Sequence, residues 1–257
     1  MSGDRVQADL QEGVLTLVLN RPDKRNALDS AMVRRLHEEL ERAAVEAPVR
    51  VVALRGAGKD FCAGADLAEL LESVGQSAAD NAANAQRLGD VFIKMRQLPK
   101  AVVAVVTGRA FAGGCGLASA CDLVLAHESA AFGYPEVKRG FVPAMVLAML
   151  RRTVGEKAAF DLVGTGHILS AAEALRVGLV SRVLSARDYD EQVPRILREL
   201  ATSSASAVAL IKRQLYEIEG RSFEDAIALG ARVNAVARST PDFKQAVESF
   251  FRKREDD

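Results

Sequence analysis

The sequence of 257 residues contains no tryptophan, only three histidines and only three cysteines. Cys62, Cys115 and Cys121 form no CxxC pair, and none of the histidines stands at metal-ligand spacing from a cysteine. An odd number of cysteines excludes a framework of paired disulfides and is typical of a reducing compartment. The same scarcity argues against a zinc site. We therefore expect a protein without a bound metal.

An excess of either charge is also missing, since Lys+Arg and Asp+Glu number 34 each. Nucleic-acid readers usually carry a basic surplus and stack bases on aromatic rings, which make up only 5% of this chain. No apolar run approaches the roughly 18–20 residues that span a membrane. The polar start, Met1–Arg5, lacks the apolar segment of a secretory signal. These absences predict a cytoplasmic protein that binds neither nucleic acid nor a membrane.

The patterning that is present predicts an α/β protein with a helical tail. Period-2 alternation and apolar runs predict strands over Val6–Leu10, Val14–Leu19, Val51–Leu54, Val102–Val106, Asp122–Ala126 and Leu179–Val183. Helical spacing between them predicts Asp29–Ala47, Leu67–Glu72, Asp80–Leu98, Gly113–Ala120, Val142–Arg152, Glu156–Val163 and Ala171–Val177. The tail is helical only, over Tyr189–Thr202, Ala205–Ile218, Ser222–Ala237 and Pro241–Arg252. Because these tail helices are amphipathic, they must pack on the core, on another subunit, or on both.

Two buried strands each lead into a loop of small residues and then into a short helix. The loops are Cys62-Ala63-Gly64-Ala65-Asp66 and Ala112-Gly113-Gly114-Cys115-Gly116. Small side chains let a ligand approach the backbone, and the first N–H groups of a helix have no intrahelical acceptor. Two such N–H groups directed at one point form an oxyanion hole. Neither loop matches a phosphate-binding pattern, and each loop taken alone is also explained as an ordinary tight turn.

Four segments that occur in order carry a family resemblance: NRPDKRNAL, FCAGADL, GRAFAGGCGLASACDLVLA and FGYPEVKRGFVPA. Together with the stretch Gly155–Leu184 and the helical tail, they make the sequence similar to the crotonase superfamily, the enoyl-CoA hydratase/isomerase family. The resemblance implies an α/β fold, with a crotonase-like spiral of ββα units over residues 1–184. A C-terminal helical trimerisation region over residues 185–257 would complete a single domain. A homotrimer or a dimer of trimers is the implied assembly.

The resemblance implies that the substrate is an acyl-CoA thioester. It assigns the two oxyanion donors to the main-chain N–H groups of Ala65 and Gly113. A thioester enolate carries its negative charge on the carbonyl oxygen, and neutral N–H dipoles stabilise that charge without a metal. We therefore expect no cofactor, because CoA enters as part of the substrate.

The resemblance also places CoA against both loops. It implies contacts along the polar loop and the two glycine loops, from Lys24, Arg25, Ala27, Ala63, Asp66, Leu67, Gly114 and Gly116. The residues alone leave alternatives open, because Lys24 and Arg25 are equally explained as solvated cations and Asp66 as a helix cap. Family members often end with a Phe and a Lys that contact a neighbour's CoA. Phe251 and Lys253 are candidates here, and a frayed final helix explains them equally.

Hydratases of this family usually carry two glutamates, and this chain retains one. Glu136, in the segment FGYPE, matches the later glutamate, whereas Gly116 stands in place of the earlier one. Hydration needs a water activated at C3 and a proton delivered to C2, and two carboxylates hold that water. One carboxylate is enough to move a proton from C2 to C4 of a 3-enoyl-CoA. Glu136 therefore favours Δ3-Δ2 isomerisation, although a first-turn helix acid would explain it without catalysis.

Several alternatives stay open at the level of the sequence. Enoyl-CoA hydration would need a second group, for which Glu69, Glu72 and Asp66 are candidates. Gly116 would then make room for a water or for a bulkier acyl group. A non-catalytic acyl-CoA-binding scaffold, or an RNA-associated relative, would explain the missing acid. A decarboxylase or thioesterase would use the same oxyanion hole, with Tyr134 holding a substrate carboxylate.

Overall fold

The computed structural model describes the backbone of residues 4–255 and the side chains of residues 4–252. Its strands are β1 (Val6–Gln11), β2 (Val14–Leu19), β3 (Val51–Gly56), β4 (Ala101–Val106), β5 (Arg109–Phe111), β6 (Leu123–His127), β7 (Ala131–Gly133), β8 (Ile168–Ser170) and β9 (Arg182–Leu184). Its α-helices are α1 (Ser30–Val45), α2 (Leu67–Ser73), α3 (Ala78–Gln97), α4 (Gly113–Ala120), α5 (Ala144–Val154), α6 (Glu156–Thr165), α7 (Ala171–Arg176), α8 (Tyr189–Thr202), α9 (Ala205–Glu217), α10 (Phe223–Arg238) and α11 (Pro241–Glu255).

Two sheets form the framework. The larger sheet has the order β1-β2-β3-β4-β6-β9, in which β1 and β2 are antiparallel and the other neighbours are parallel. The smaller sheet has the order β5-β7-β8. Because β3 and β4 are parallel neighbours, their carboxyl ends lie at the same edge of the sheet. The first glycine loop follows β3 and the second follows β4 by way of β5, and a bridge between Cys62 and Ala110 brings the two segments side by side.

The larger sheet is covered on both faces. Along β3, Val52 and Leu54 belong to the core formed with α1, α3 and α4, whereas Val51 and Ala53 belong to the core formed with α8. This alternation is the period-2 pattern of a strand. All of these side chains are buried, which explains why the central strands are continuous apolar runs rather than alternating ones.

The α/β interpretation is confirmed, but some strands differ from the predictions. The strands β5, β7 and β8 were not predicted, because three residues are too few to show a period. The predicted strand Leu179–Val183 overlaps β9, but its start is wrong. The N–H groups of Leu179 and Val180 both donate to the Ala174 carbonyl and close a turn after α7, so that β9 begins only at Arg182.

A buried ion pair attaches the helical tail to the core. The Nζ of Lys212, on α9, lies 2.7 Å from Asp122 Oδ2 and donates to the carbonyls of Met95 and Lys100 at 2.7 and 3.0 Å. The Tyr216 hydroxyl donates to the other Asp122 oxygen at 2.8 Å. A buried cation with this many partners fixes the position of α9.

The last two helices lie farther from the sheets. Both α10 and α11 pack mainly on α9 and on each other. They leave large apolar side chains exposed, namely Phe223, Ile227, Val236, Phe243, Phe250 and Phe251. This exposed apolar surface is consistent with a trimerisation region. Within residues 4–255, no helix combines the length and the apolar character that crossing a bilayer requires.

Candidate active site

The two glycine loops touch each other. Phe111, at the end of β5, donates its N–H to the Cys62 carbonyl of the first loop at 2.9 Å. A Cβ built on Gly64 would lie only 2.6 Å from the Cβ of Ala112 and 3.3 Å from the nitrogen of Gly113. Gly64 also has a φ of +99°, a conformation that glycine adopts without a steric cost. Glycine at position 64 therefore permits the close approach of the two loops.

The main-chain amides of Ala65 in the first loop and Gly113 in the second have no acceptor among residues 4–255, and in the second loop Gly113 differs from the buried Gly114 and Cys115 in being partly exposed. Leu28 donates to the Gly64 carbonyl and accepts from the Asp66 amide, which turns the intervening Ala65 N–H away from Leu28. Gly113 is the first residue of α4, so its N–H has no intrahelical acceptor. A Cβ built on Gly113 would lie 3.9 Å from the Ala65 nitrogen. The two amides are neighbours, and both residues are partly exposed.

Charged side chains hold the first loop. Arg21 Nη2 lies 2.8 Å from Asp66 Oδ2, and its Nη1 lies 3.3 Å from Asp29 Oδ2 and donates to the Ala27 carbonyl at 2.7 Å. The Asp66 carboxylate also accepts from the Ala68 amide and so caps α2. Burial acts to raise the pKa of Asp66, but the hydrogen bonds from Arg21 and Ala68 outweigh it and lower the pKa. Asp66 is therefore occupied by the helix and by Arg21.

Asn26 fixes the polar loop that precedes α1. It is completely buried, and its Nδ2 donates to the carbonyls of Ala57 and Asp60 at 2.9 and 2.7 Å. Its Oδ1 accepts from the Arg21 amide at 2.9 Å. Sequence reasoning missed Arg21 and Asn26 as supports of the site. An Arg and an Asn in a polar loop follow no pattern that distinguishes them from solvated residues.

Most of the residues that the resemblance assigns to CoA lie on the polar loop and on the first glycine loop with the start of α2. The Ala63 N–H donates to the Arg25 carbonyl at 3.0 Å and joins the polar loop to the first glycine loop. The side chains of Lys24 and Arg25 are exposed and form no ion pair among the described side chains. Leu67 begins α2 and is 63% exposed. Two cations without ion pairs and one exposed apolar side chain thus lie on the segments that adjoin the first glycine loop.

Glu136 lies in a 3-10 turn after β7 and is half-buried. This segment is tied to the second loop, because Ala112 donates its N–H to the Gly133 carbonyl at 2.8 Å. The Oε2 atom of Glu136 is buried and has no hydrogen-bond partner among the described residues. Burial raises the pKa of this carboxyl, against the opposing effects of its own amide and of Arg139. A desolvated carboxylate without a partner is suited to accept a proton from a ligand.

The other carboxylates near the loops are engaged or directed elsewhere. Glu69 accepts from the Ser30 amide at 2.9 Å and from its hydroxyl at 2.8 Å, and so joins α2 to α1. Glu72 is exposed on α2. Asp66 is held by Arg21. Glu69 and Asp66 are therefore engaged, and Glu72 is exposed to solvent.

The family model described as Enoyl-CoA hydratase/isomerase matches residues 9–257. The chain belongs to the enoyl-CoA hydratase/isomerase family. It is 41% identical over 241 residues to the "Putative enoyl-CoA hydratase" of Thermus thermophilus, covering 94% of this chain and 95% of that protein. It is 33% identical over 248 residues to the 2,3-dehydroadipyl-CoA hydratase of Escherichia coli, covering 96% and 95%.

A solved structure supports the same assignment. The enoyl-CoA hydratase of Mycobacterium smegmatis superposes with a TM-score of 0.91 at 34% identity, covering 97% of this chain and 96% of that one. The resemblance to the crotonase superfamily and the predicted fold class are confirmed. The chain is thus an enzyme of the enoyl-CoA hydratase/isomerase family, and an acyl-CoA substrate is consistent with that membership.

Within this family member, two of the predicted substrate contacts need correction. Gly114 and Gly116 are buried. A Cβ built on Gly114 would overlap the carbonyl of Cys62, and one built on Gly116 would overlap the side chain of Val146. The space beside Gly116, expected to admit a water or a bulkier acyl group, is filled. Both glycines are packing residues of α4, which no surface motif in the sequence could reveal.

Tyr134 is also a packing residue in this enzyme. It is fully buried, and its hydroxyl lies 2.9 Å from the Ser119 hydroxyl. Burial raises the pKa of Tyr134 well above its ordinary value. The idea that Tyr134 holds a substrate carboxylate is therefore wrong. Phe251 is exposed on α11, and the side chain of Lys253 lies outside the described residues.

Proposed function

We propose that the protein moves the double bond of a 3-enoyl-CoA to the 2 position, with Glu136 as its single proton-transfer group. The observation that carries this proposal is the buried, unpartnered Oε2 of Glu136 next to a loop with a free amide. The position of a second carboxylate is Gly116, and Val146 fills the space beside it. An acid-base site with one carboxylate fits proton transfer between two carbons of one substrate.

The chemistry follows from the free amides and the carboxylate. The thioester oxygen accepts from the Ala65 and Gly113 N–H groups, which stabilise the charge that develops when C2 loses a proton. Ionised Glu136 takes that proton, and the C2–H electron pair moves into the conjugated dienolate. Glu136 then returns the proton to C4, the electrons shift back, and the C2=C3 bond forms. No atom is gained or lost.

The surroundings of the amides suit a CoA thioester with an apolar acyl chain. Lys24 and Arg25 are unpaired cations within the described residues and are available for the phosphates of CoA. On the other side, a Cβ built on Gly113 would lie 3.5 Å from Leu28 and 3.6 Å from Leu88. The acyl chain would leave the oxyanion site between apolar side chains. CoA would be the only cofactor-like group, and the reaction would belong to the cytoplasm.

Assembly as a trimer, or as a dimer of trimers, is proposed as well. Large apolar side chains are exposed along α9 and α10, including Ile211, Leu215, Phe223 and Ile227, which are 60–77% exposed. Exposed apolar patches of this kind commonly mark subunit contacts. Light scattering of the purified protein would give the mass directly, and a monomer of 27.5 kDa would contradict the assembly.

A second candidate is hydration of a 2-enoyl-CoA. It is favoured by the names of the relatives, since the proteins from Escherichia coli and Mycobacterium smegmatis are called hydratases. It would require a second group that holds water, and the engaged carboxylates around the site do not offer one.

Parallel assays with 3-enoyl-CoA and 2-enoyl-CoA test the two candidates. We expect wild type to isomerise the first substrate faster than it hydrates the second. Glu136→Gln should lose about 10²–10⁴-fold in isomerisation, the usual contribution of a general acid-base group, and should keep its affinity for an acyl-CoA. Glu156→Gln, which alters an exposed carboxylate on α6, is the matched control and should behave as wild type. Faster hydration than isomerisation, or full activity in Glu136→Gln, would contradict the proposal.

A further inference from the structure

We infer that Val146 determines the reaction outcome, because with Phe92 it fills the space where hydration would require a second carboxylate and a water. This inference rests on the proposed function of the Glu136 site. It assigns specificity to a side chain on α5 that neither accepts nor donates a proton.

The packing around Gly116 is tight on one side only. A Cβ at this position would overlap Val146 Cγ1, would lie 3.2 Å from Phe92 Cζ, and would lie 3.6 Å from the Val146 Cβ. Val146 and Phe92 are 4% and 5% exposed and belong to the main core. A β-branched side chain on a helix has one strongly preferred rotamer, so Val146 cannot simply rotate aside. Any side chain at position 116 must displace it.

Gly113 shows that a Cβ is accepted at another position of the same helix. Both glycines lie on α4, three residues apart. A Cβ on Gly113 would lie at the ordinary distances of 3.5 and 3.6 Å from the Leu28 and Leu88 methyl groups and 3.9 Å from the Ala65 nitrogen. The helix as such therefore tolerates a Cβ, and the obstacle at position 116 is Val146.

The chemical consequence is a site without a place for water. A bound water typically needs two to four polar partners in addition to sufficient volume. Next to Gly116, the Val146 methyl and the Phe92 ring offer neither. Glu136 can then exchange protons with the substrate while the dienolate is shielded from water. The double bond moves and no water is added.

A thermal-stability cycle tests the packing independently of the reaction. Gly116→Ala should lower Tm by about 5 °C, since overpacking a core costs several degrees in a protein of this size. In Gly116→Ala/Val146→Ala the nearest remaining contact is the Phe92 ring, so its Tm loss should be smaller than the sum of the two single losses. Gly113→Ala is the matched control, and its Tm should stay close to wild type. Additive losses in the cycle would overturn the steric part of the inference, whatever reaction the enzyme catalyses.

Hydration rates of single and double variants test whether Val146 determines the reaction. Gly116→Glu alone should gain little hydration of a 2-enoyl-CoA, because Val146 blocks the new carboxylate. Gly116→Glu/Val146→Ala should hydrate at least 10-fold faster than Gly116→Glu. Equal hydration by both variants would overturn the inference, and so would a double variant that is folded and binds acyl-CoA but shows no gain. Failure of wild type to isomerise a 3-enoyl-CoA would contradict the proposed function instead, and the stability cycle would still report on Val146.

Discussion

The first glycine loop is held by charged side chains, whereas the second is held by apolar packing. Around the first loop, Arg21 bridges Asp66 and Asp29, and buried Asn26 bonds three main-chain groups. Behind the second loop, residues 114–120 of α4 are all buried in the core. Each loop nevertheless has a partly exposed residue whose amide is free, and these two residues, Ala65 and Gly113, are neighbours. The two amides of the proposed oxyanion site are thus positioned by different forces, and the two loops should be disrupted by different substitutions.

The turn residues differ in the same way. The first loop turns at Gly64, whose φ of +99° is accessible to glycine. The second turns at Ala112, whose φ of +53° with ψ of −127° is unfavourable for a residue with a Cβ. Such conformations cost of order 1–3 kcal/mol and persist only where the surroundings enforce them. Here the buried helix α4 and the hydrogen bond from the Ala112 N–H to the Gly133 carbonyl hold Ala112 in this conformation.

The largest effect is expected from deleting either amide. Replacing Ala65 by lactic acid, or Gly113 by glycolic acid, turns the N–H into an ester oxygen with almost no change in shape. Each change should lower kcat by about 10²–10³-fold, as the loss of one oxyanion donor typically does. The same ester at Ala226, whose N–H only donates within α10, should leave kcat unchanged. A loss confined to one of the two sites would mean that only one amide binds the thioester oxygen.

Removing the charges should disable the first loop selectively. Arg21→Met breaks the contacts with Asp66 and Asp29, whose side chains are only 15% and 7% exposed. We expect a loss of about 3 kcal/mol in the free energy of unfolding, as for other broken buried ion pairs, together with a lower kcat. Arg151→Met breaks an exposed pair with Glu156 and should cost at most about 1 kcal/mol. Chemical denaturation checks both values, and equal losses would remove Arg21 from the framework of the loop.

The pH dependence of stability should have opposite signs at Asp66 and Glu136. The pKa of Asp66 is lower in the folded protein than its ordinary value of 3.8. The ionised carboxylate therefore contributes fully to the free energy of unfolding above pH 3.8, and this contribution is lost as the pH falls through the folded pKa. The folded pKa of Glu136 is raised, so stability is lost as the pH rises from 4.5 through that pKa. At pH 7, Asp66→Asn should destabilise and Glu136→Gln should stabilise. Urea unfolding from pH 3 to 8 measures both, and shifts of the same sign would contradict the assignment.

The smallest effect is expected from exchanging the turn residues. Ala112→Gly relieves the positive φ and should change the stability by about 1 kcal/mol or less, since the freer glycine backbone offsets the relief. The kcat should fall only slightly. Gly64→Ala should be far more harmful, because its Cβ would lie 2.6 Å from that of Ala112. Thermal unfolding of both variants checks the order, and a tolerated Gly64→Ala would refute the close contact of the loops.

Much of this arrangement could be predicted from the sequence. The apolar runs of β3 and β4 and the glycines after them indicate two strand-loop-helix units. The parallel pairing that brings the loops together is a long-range property, and only the family resemblance implied it. The free amides of Ala65 and Gly113 depend on a β-bridge and on a helix end, and the resemblance rather than local patterning directed attention to these two residues.

The supporting residues could not be predicted in the same way. Arg21 and Asn26 act through contacts with residues up to 45 positions away, and local patterning does not report such contacts. Gly114 and Gly116 resemble the exposed glycines of a binding loop in sequence. Their burial depends on Cys62 and on Val146, which approach from other elements. Steric complementarity of this kind is visible only in three dimensions.

The most direct measurement is the carbonyl stretching frequency of a thioester bound to the enzyme. Butyryl-CoA labelled with ¹³C at the carbonyl is unreactive in isomerisation and can be followed by isotope-edited infrared spectroscopy. Two converging amides predict a lower frequency than that of the free thioester in water, with part of the shift lost in each of the Ala65 and Gly113 esters. A bound frequency equal to that of the free thioester, or one that neither ester changes, would contradict the shared oxyanion site.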